Sequence, residues 1–283
     1  MSEPGLHRTG RDGRLRLVFR KQGDKTILHD SFSTMPLQAF QPFRTDGAAC
    51  ACTYIVNPTG GLAGGDSIHM DITLDDQAHA LITAPSANRL YRSTGDFSSQ
   101  DVRIAAGKGA AIEYMPGYVI PFAGSLYRQK TRICMEKGAA AFILDFFTPG
   151  RVARGEYMLF REYRSITEIE YCGELILSER VVLRPETAGY GGTGFLESST
   201  AMAAIYLVFD NPSIERPLAG ALHAMLDGME GVYGGASALP SRGVSVRLLG
   251  EGVRFAEKAI LEIWSAARKS VMGTEALSRL HWT

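Results

Sequence analysis

A chain of 283 residues with 45% hydrophobic content is long enough to bury a large core, as one β-rich domain or two modest ones. Thirty Lys and Arg offset thirty Asp and Glu, so no global field draws the chain to nucleic acid or an anionic membrane, and a molecule this neutral is expected to associate with partners. The N-terminus has no apolar signal core, no run reaches the roughly 18 to 20 apolar residues that span a bilayer, and Cys50, Cys52, Cys134 and Cys172 are too scattered for a disulfide framework, so a reducing, cytoplasmic setting is expected.

Residues 1–12 are polar and read as a loose tail. From Leu15, Leu17 and Phe19 onward, apolar positions recur with period two, and residues 13–210 are expected to form a layered, β-rich body. Cys50 and Cys52 would share one face of a strand. They could bind a soft metal only if further ligands converged there, so buried structural cysteines are expected instead.

The string NPTGGLAGGD, Asn57 to Asp66, places Gly60, Gly61, Gly64 and Gly65 where the chain must turn sharply before the alternating strand Ile68, Met70, Ile72, Leu74. It matches neither nucleotide-binding glycine pattern, and no Lys or helix start follows to meet a phosphate. His69 and His79 fall on polar strand positions and are expected to face solvent.

Three segments, DQAHALIT from Asp76, GKGAAIEY from Gly107 and EKGAAAFI from Glu136, repeat a turn opening into an Ala-rich strand. RLYRS and SLYRQ, with Tyr91 and Tyr127, recur between them. The pattern implies stacked β-layers in which small residues let neighbouring strands approach, with an ordinary antiparallel sandwich as the alternative.

Asp145 lies inside the apolar run AAFILDFFTPG, where an ionised carboxylate needs a partner, a metal or water. Arg151 and Arg154 offer the plain alternative of a buried ion pair. GRVARGE adds Glu156, and Asp66 ends the glycine string; spacing alone does not bring these carboxylates together. No GxSxG, HExxH or paired CxxC is present.

After residue 200 the expected order is strand, helix, strand, strand, helix. The first helix is set at 215–227, with Pro217 in its first turn and Gly228 as its cap. The second runs from about Gly252 to Met272 on the stripe Ala256, Ala259, Ile260, Ile263, Trp264, Ala267, Val271 and ends at Gly273. Residues 211–283 would thus be a small α+β part carrying two helices, packed on the β body as one structural domain.

NPTGGLAGGD, ITAPSANRLYRS, GRVARGE, GGASALPSRGVSVRLLG, IWSAARKSVMG and SRLHWT resemble, in order and spacing, the UreD (UreH) family of urease accessory proteins across essentially the whole chain. FFTP at Phe146–Pro149 departs from the smaller aliphatic run expected there, and the Cys50/Cys52 pair is not a family need. The resemblance implies a β-helix-like stack with two C-terminal helices. It also implies a non-enzymatic metallochaperone, a scaffold between apo-urease and UreF, which recruits UreG. Such a scaffold binds no cofactor tightly; nickel passes along an internal watery path near Asp66, Asp145, Glu156 and Glu179. Two other classes stay open: an enzyme using Asp145 as acid or base with Arg151 on an anionic substrate, and an adaptor that never meets metal. The helices and the tail residues His281 and Trp282 are the expected partner surface.

Overall fold

The computed structural model describes residues 11–44, 49–187, 189–190, 195–197 and 199–274. The chain opens with β1 (Asp12–Gln22), β2 (Lys25–Ser33), β3 (Gln38–Ala39), β4 (Ala51–Val56), β5 (Gly61–Leu62) and β6 (Ser67–Leu74). It continues through β7 (His79–Thr83), β8 (Asn88–Leu90), β9 (Ser98–Ala106), β10 (Ala111–Met115), β11 (Val119–Pro121), β12 (Leu126–Met135), β13 (Ala140–Phe147), β14 (Glu162–Tyr171) and β15 (Glu174–Leu183). The C-terminal part adds β16 (Ala201–Val208), α1 (Pro212–Asp227), β17 (Val232–Ala238), β18 (Gly243–Gly250) and α2 (Val253–Ala267).

The strands form coils. One sheet, ordered β15-β14-β12-β9-β6-β1-β2, runs parallel from β1 through β6, β9 and β12 to β14. The other contains parallel β4, β7, β10 and β13 and then turns antiparallel into β16, β18 and β17. Short β5, β8 and β11 pair in parallel along the corner between them. Each coil therefore passes from the second sheet, round the corner, into the first. The Ala-rich repeat marks these coils: Ala111 sits beside His79 on one side and Ala140 on the other, and Ala78, Ala110 and Ala139 are buried one above another. Tyr91 and Tyr127 do not share an equivalent place, since Tyr91 follows the corner strand β8 while Tyr127 belongs to the long strand β12. That part of the sequence repeat is chance.

The glycine string makes the first corner. Gly60 and Gly65 take positive φ of 74° and 86°, and a Cβ on Gly61 would collide with the Arg89 carbonyl of the adjoining rung. Strands of the first sheet alternate between buried and exposed residues, as in β6. Those of the second sheet are apolar on both faces, because one face meets the first sheet and the other the helices. Hence the unbroken run of β13.

After β16 the observed order is that expected from sequence. Helix α1 begins three residues earlier than the predicted start, because Asn211 Oδ1 accepts the Ser213 N–H and Pro212 occupies the first turn, the stronger start signal. Pro217 is therefore inside the helix, and Gly228 ends it in a right-handed conformation. Helix α2 continues as a π-helical turn, Arg268–Met272, to Gly273, whose φ of 64° closes it. Most of the proposed tail, residues 1–10, and the terminal His281 and Trp282 lie outside the described residues.

One buried carboxylate fixes α2 to the sheet. Glu113 of β10 has no exposure; its Oε2 accepts the Trp264 indole N–H, Arg268 Nε lies 2.9 Å from Oε2, and Arg268 Nη2 donates to Oε1 at 3.0 Å. His79 Nε2 is 2.6 Å from the same Oε1. Burial alone would raise the Glu113 pKa, but the hydrogen bond and charge of His79, the charge of Arg268 and the Trp264 N–H outweigh it and hold the group below its ordinary range. The stability this confers is present above the ordinary glutamate value of 4.5 and is lost as pH falls through the lowered native value. Glu113→Gln removes the charge facing buried Arg268 and is expected to cost about 3–5 kcal/mol in urea unfolding. The exposed Lys258→Ala should change stability by no more than about 0.5 kcal/mol.

Candidate functional site

Parallel, in-register strands put equal positions of successive coils side by side, so a polar residue repeated at one inward position becomes a line across the interior. Gln100 in β9, Gln129 in β12 and Ser165 in β14 form one such row, and Thr131, Thr167 and Glu179, on β12, β14 and β15, continue the next. Facing them from β13 is Asp145. A cavity of about 100 Å³ is bordered by Gln100, Gln129, Thr131, Thr167, Tyr114 and Asp145 and continues towards the glycine corner at Asn57 and Gly60. A space of that size has room for several waters.

Asp145 is half-buried and receives neutral donors. Ser165 donates to Oδ2 at 2.6 Å, Gln129 Nε2 to Oδ1 at 3.2 Å, and Tyr163 to Oδ1 at 3.4 Å. Gln129 is itself oriented, accepting from Tyr127 and donating to Ser165 at 2.8 Å. Phe147, the second aromatic of the FFTP string, lies 4.6 Å centroid to centroid from Tyr163 and holds that ring in place, while Phe146 points the other way onto Tyr118. Burial raises the Asp145 pKa, the three hydrogen bonds pull it back, and the charge of Glu179 adds to the rise, leaving it above the ordinary aspartate value.

Of the four carboxylates expected near a path, the fold brings two together. Glu179 bonds Arg247 of β18 at 2.6 Å, a bridge between the two sheets, and its charge reaches Asp145. Asp66 instead caps its own turn, accepting the Ala63 N–H at 2.7 Å. Glu156 is gripped by Arg151, whose Nε donates to Oε2 at 2.7 Å, and accepts the Ala123 N–H at 3.1 Å. The Arg151 hydrogen bond is the main reason its pKa is lowered. The alternative of an Asp145 pair with Arg151 is thus corrected: Arg151 serves Glu156 and covers the Phe122 ring.

His69 is exposed as expected, but His79 is not solvent-facing, since its side chain is only 17% exposed and is spent on Glu113. Cys50 and Cys52 are buried free thiols. Spacing did not single out Glu113, although the argument applied to Asp145, a carboxylate inside an apolar strand, applies to it unchanged.

A model of the family described as UreD urease accessory protein matches residues 11–283. The chain belongs to the UreD family. It is 31% identical over 277 residues to the urease accessory protein UreD of Cenarchaeum symbiosum (strain A), covering 96% of this chain and 97% of that protein. It is 32% identical over 241 residues to that of Acetivibrio thermocellus, covering 85% and 91%. The strings that carry the likeness have separate structural tasks in this UreD chain: the glycine corner, the Arg151–Glu156 clamp, the β17–β18 hairpin, and the α2 residues that meet Glu113. Among the described residues no helix is long and apolar enough to cross a membrane.

Asp145 holds its proton more tightly in the folded chain, so its ionisation opposes folding as pH rises from about 3.8 through its raised value. Asp145→Asn is therefore expected to melt no lower than the parent at neutral pH. Its relative advantage should vanish below the ordinary aspartate value, which melting curves across pH measure.

Proposed function

We propose that this chain is a non-catalytic scaffold of urease maturation in the cytoplasm, set between apo-urease and the accessory proteins UreF and UreG. Nickel is its cargo, handed along the interior line from Gln100 to Glu179. The observation that carries the reading is Asp145 with its three neutral donors beside a largely apolar cavity into which Gln100, Gln129, Thr131 and Thr167 bring polar groups. Such oxygen donors hold a borderline divalent ion far less firmly than a closed thiolate and imidazole cage, and a conduit must release what it binds. Asp145 and Glu179 are the charged stations, while Asp66 and Glu156 shape the corner loops beside the line.

The raised Asp145 also suits the enzymatic alternative, but that reading needs an anion-binding cation nearby, and Arg151 is committed to Glu156. The scaffold reading requires no such group. UreF is expected to dock on the C-terminal helices and the segment after Met272.

Co-expression with urease and its other accessory proteins tests both parts. The Asp145→Ala, Glu179→Ala double variant is expected to assemble with its partners while urease nickel content falls several-fold. Full loading by an assembled double variant would favour the adaptor that never meets metal. Truncation after Met272 should weaken UreF capture more than it lowers the melting temperature, and unchanged capture would place the interface elsewhere.

A further inference from the structure

On the outer face of the second sheet, away from the interior line, three different metal-ligand types converge. The β4–β7 register places Ala51 beside Ala80, so Cys50 falls next to His79; Ala111 beyond it is small enough for the imidazole to reach diagonally to Glu113. One ligand atom from each of Cys50, His79 and Glu113 lies within 4.8 Å of the others. We propose that these residues form a binding site for a borderline divalent cation such as zinc, at the foot of α2 and separate from the path through the body.

The surroundings suit that role. Trp264 and Arg268 orient the Glu113 carboxylate from behind, as outer-shell donors orient metal ligands. The ion would replace the hydrogen-bonded proton between His79 and Glu113 Oε1, opening that 2.6 Å contact slightly. Thiolate, imidazole and carboxylate together select borderline ions over hard magnesium or calcium. Three protein ligands leave a fourth position for water. Access is from the His79 side, the one partly exposed ligand. Because Glu113 also ties down α2, an ion here would bear on the helix directly.

The test is titration of Co(II), a spectroscopic stand-in for Zn(II), into the reduced full-length chain with the exposed Cys134 and Cys172 both changed to Ser. A single tight site with sulfur-to-cobalt charge-transfer absorption is expected, displaced by Zn(II) and untouched by Mg(II). Cys50→Ser should abolish that band, and His79→Ala should weaken binding by about tenfold or more. Asp145→Asn should keep it. Melting curves check folding, and if Cys50→Ser does not fold, Cys50→Ala carries the same expectation. A chain with Cys50 intact that gives no sulfur band, or a band that survives loss of the thiol, overturns the proposal. So does Co(II) binding that survives loss of Cys50 but is weakened in Asp145→Asn, which would assign the ion to the interior instead.

Discussion

The structure depends on in-register stacking of parallel strands. Each backbone rung is hydrogen-bonded to the next at a spacing of about 4.8 Å, so side chains at one position of the coil must tolerate, or use, the same position above and below. Ala78, Ala110 and Ala139 tolerate it by being small, and Gly61 does so where the corner strands come closest. Gln100, Gln129 and Ser165 use it, forming a polar row that no single segment could make.

Two carboxylates on neighbouring strands, Glu113 fully buried and Asp145 half-buried, show how differently one fold can treat the same chemistry. Glu113 faces outward into the layer under α2, meets a guanidinium, an indole and an imidazole, and is held ionised. It acts as a fastener. Asp145 faces inward, meets hydroxyls and an amide, feels the charge of Glu179, and keeps its proton longer. Among the described residues Asp145 has only neutral hydrogen-bond donors and no ion-pair partner, whereas Glu113 is paired with Arg268 and His79.

Much of the architecture was legible because it rests on local rules. Period-two alternation marked the strands of the first sheet, the Ala-rich repeat marked the coils, and the stripe from Ala256 to Ala267 marked α2 with its end at Gly273. Errors arose where two local signals competed or where a partner lay far away in sequence. A start at 215, with Pro217 in the first turn, competes with Asn211 and Pro212, which mark the true one. The polar strand phase of His79 points to solvent, but the imidazole is bonded to buried Glu113 and is only 17% exposed. RLYRS and SLYRQ looked like a repeat because composition does not encode position on a coil.

The family, the coil repeat, the glycine corner and the order of the C-terminal elements were determined by the sequence itself, since each depends on neighbours a few residues away or on strings read in order. Which carboxylates meet was decided only by tertiary structure. Asp145 joins Ser165 and feels the charge of Glu179, Glu156 goes to Arg151, and Glu113 finds Arg268 across 155 residues of chain. The reason is geometric: whether a side chain in a parallel stack faces the interior, a helix or water is set by sheet register and by what packs on each face, and neither is written in any local spacing.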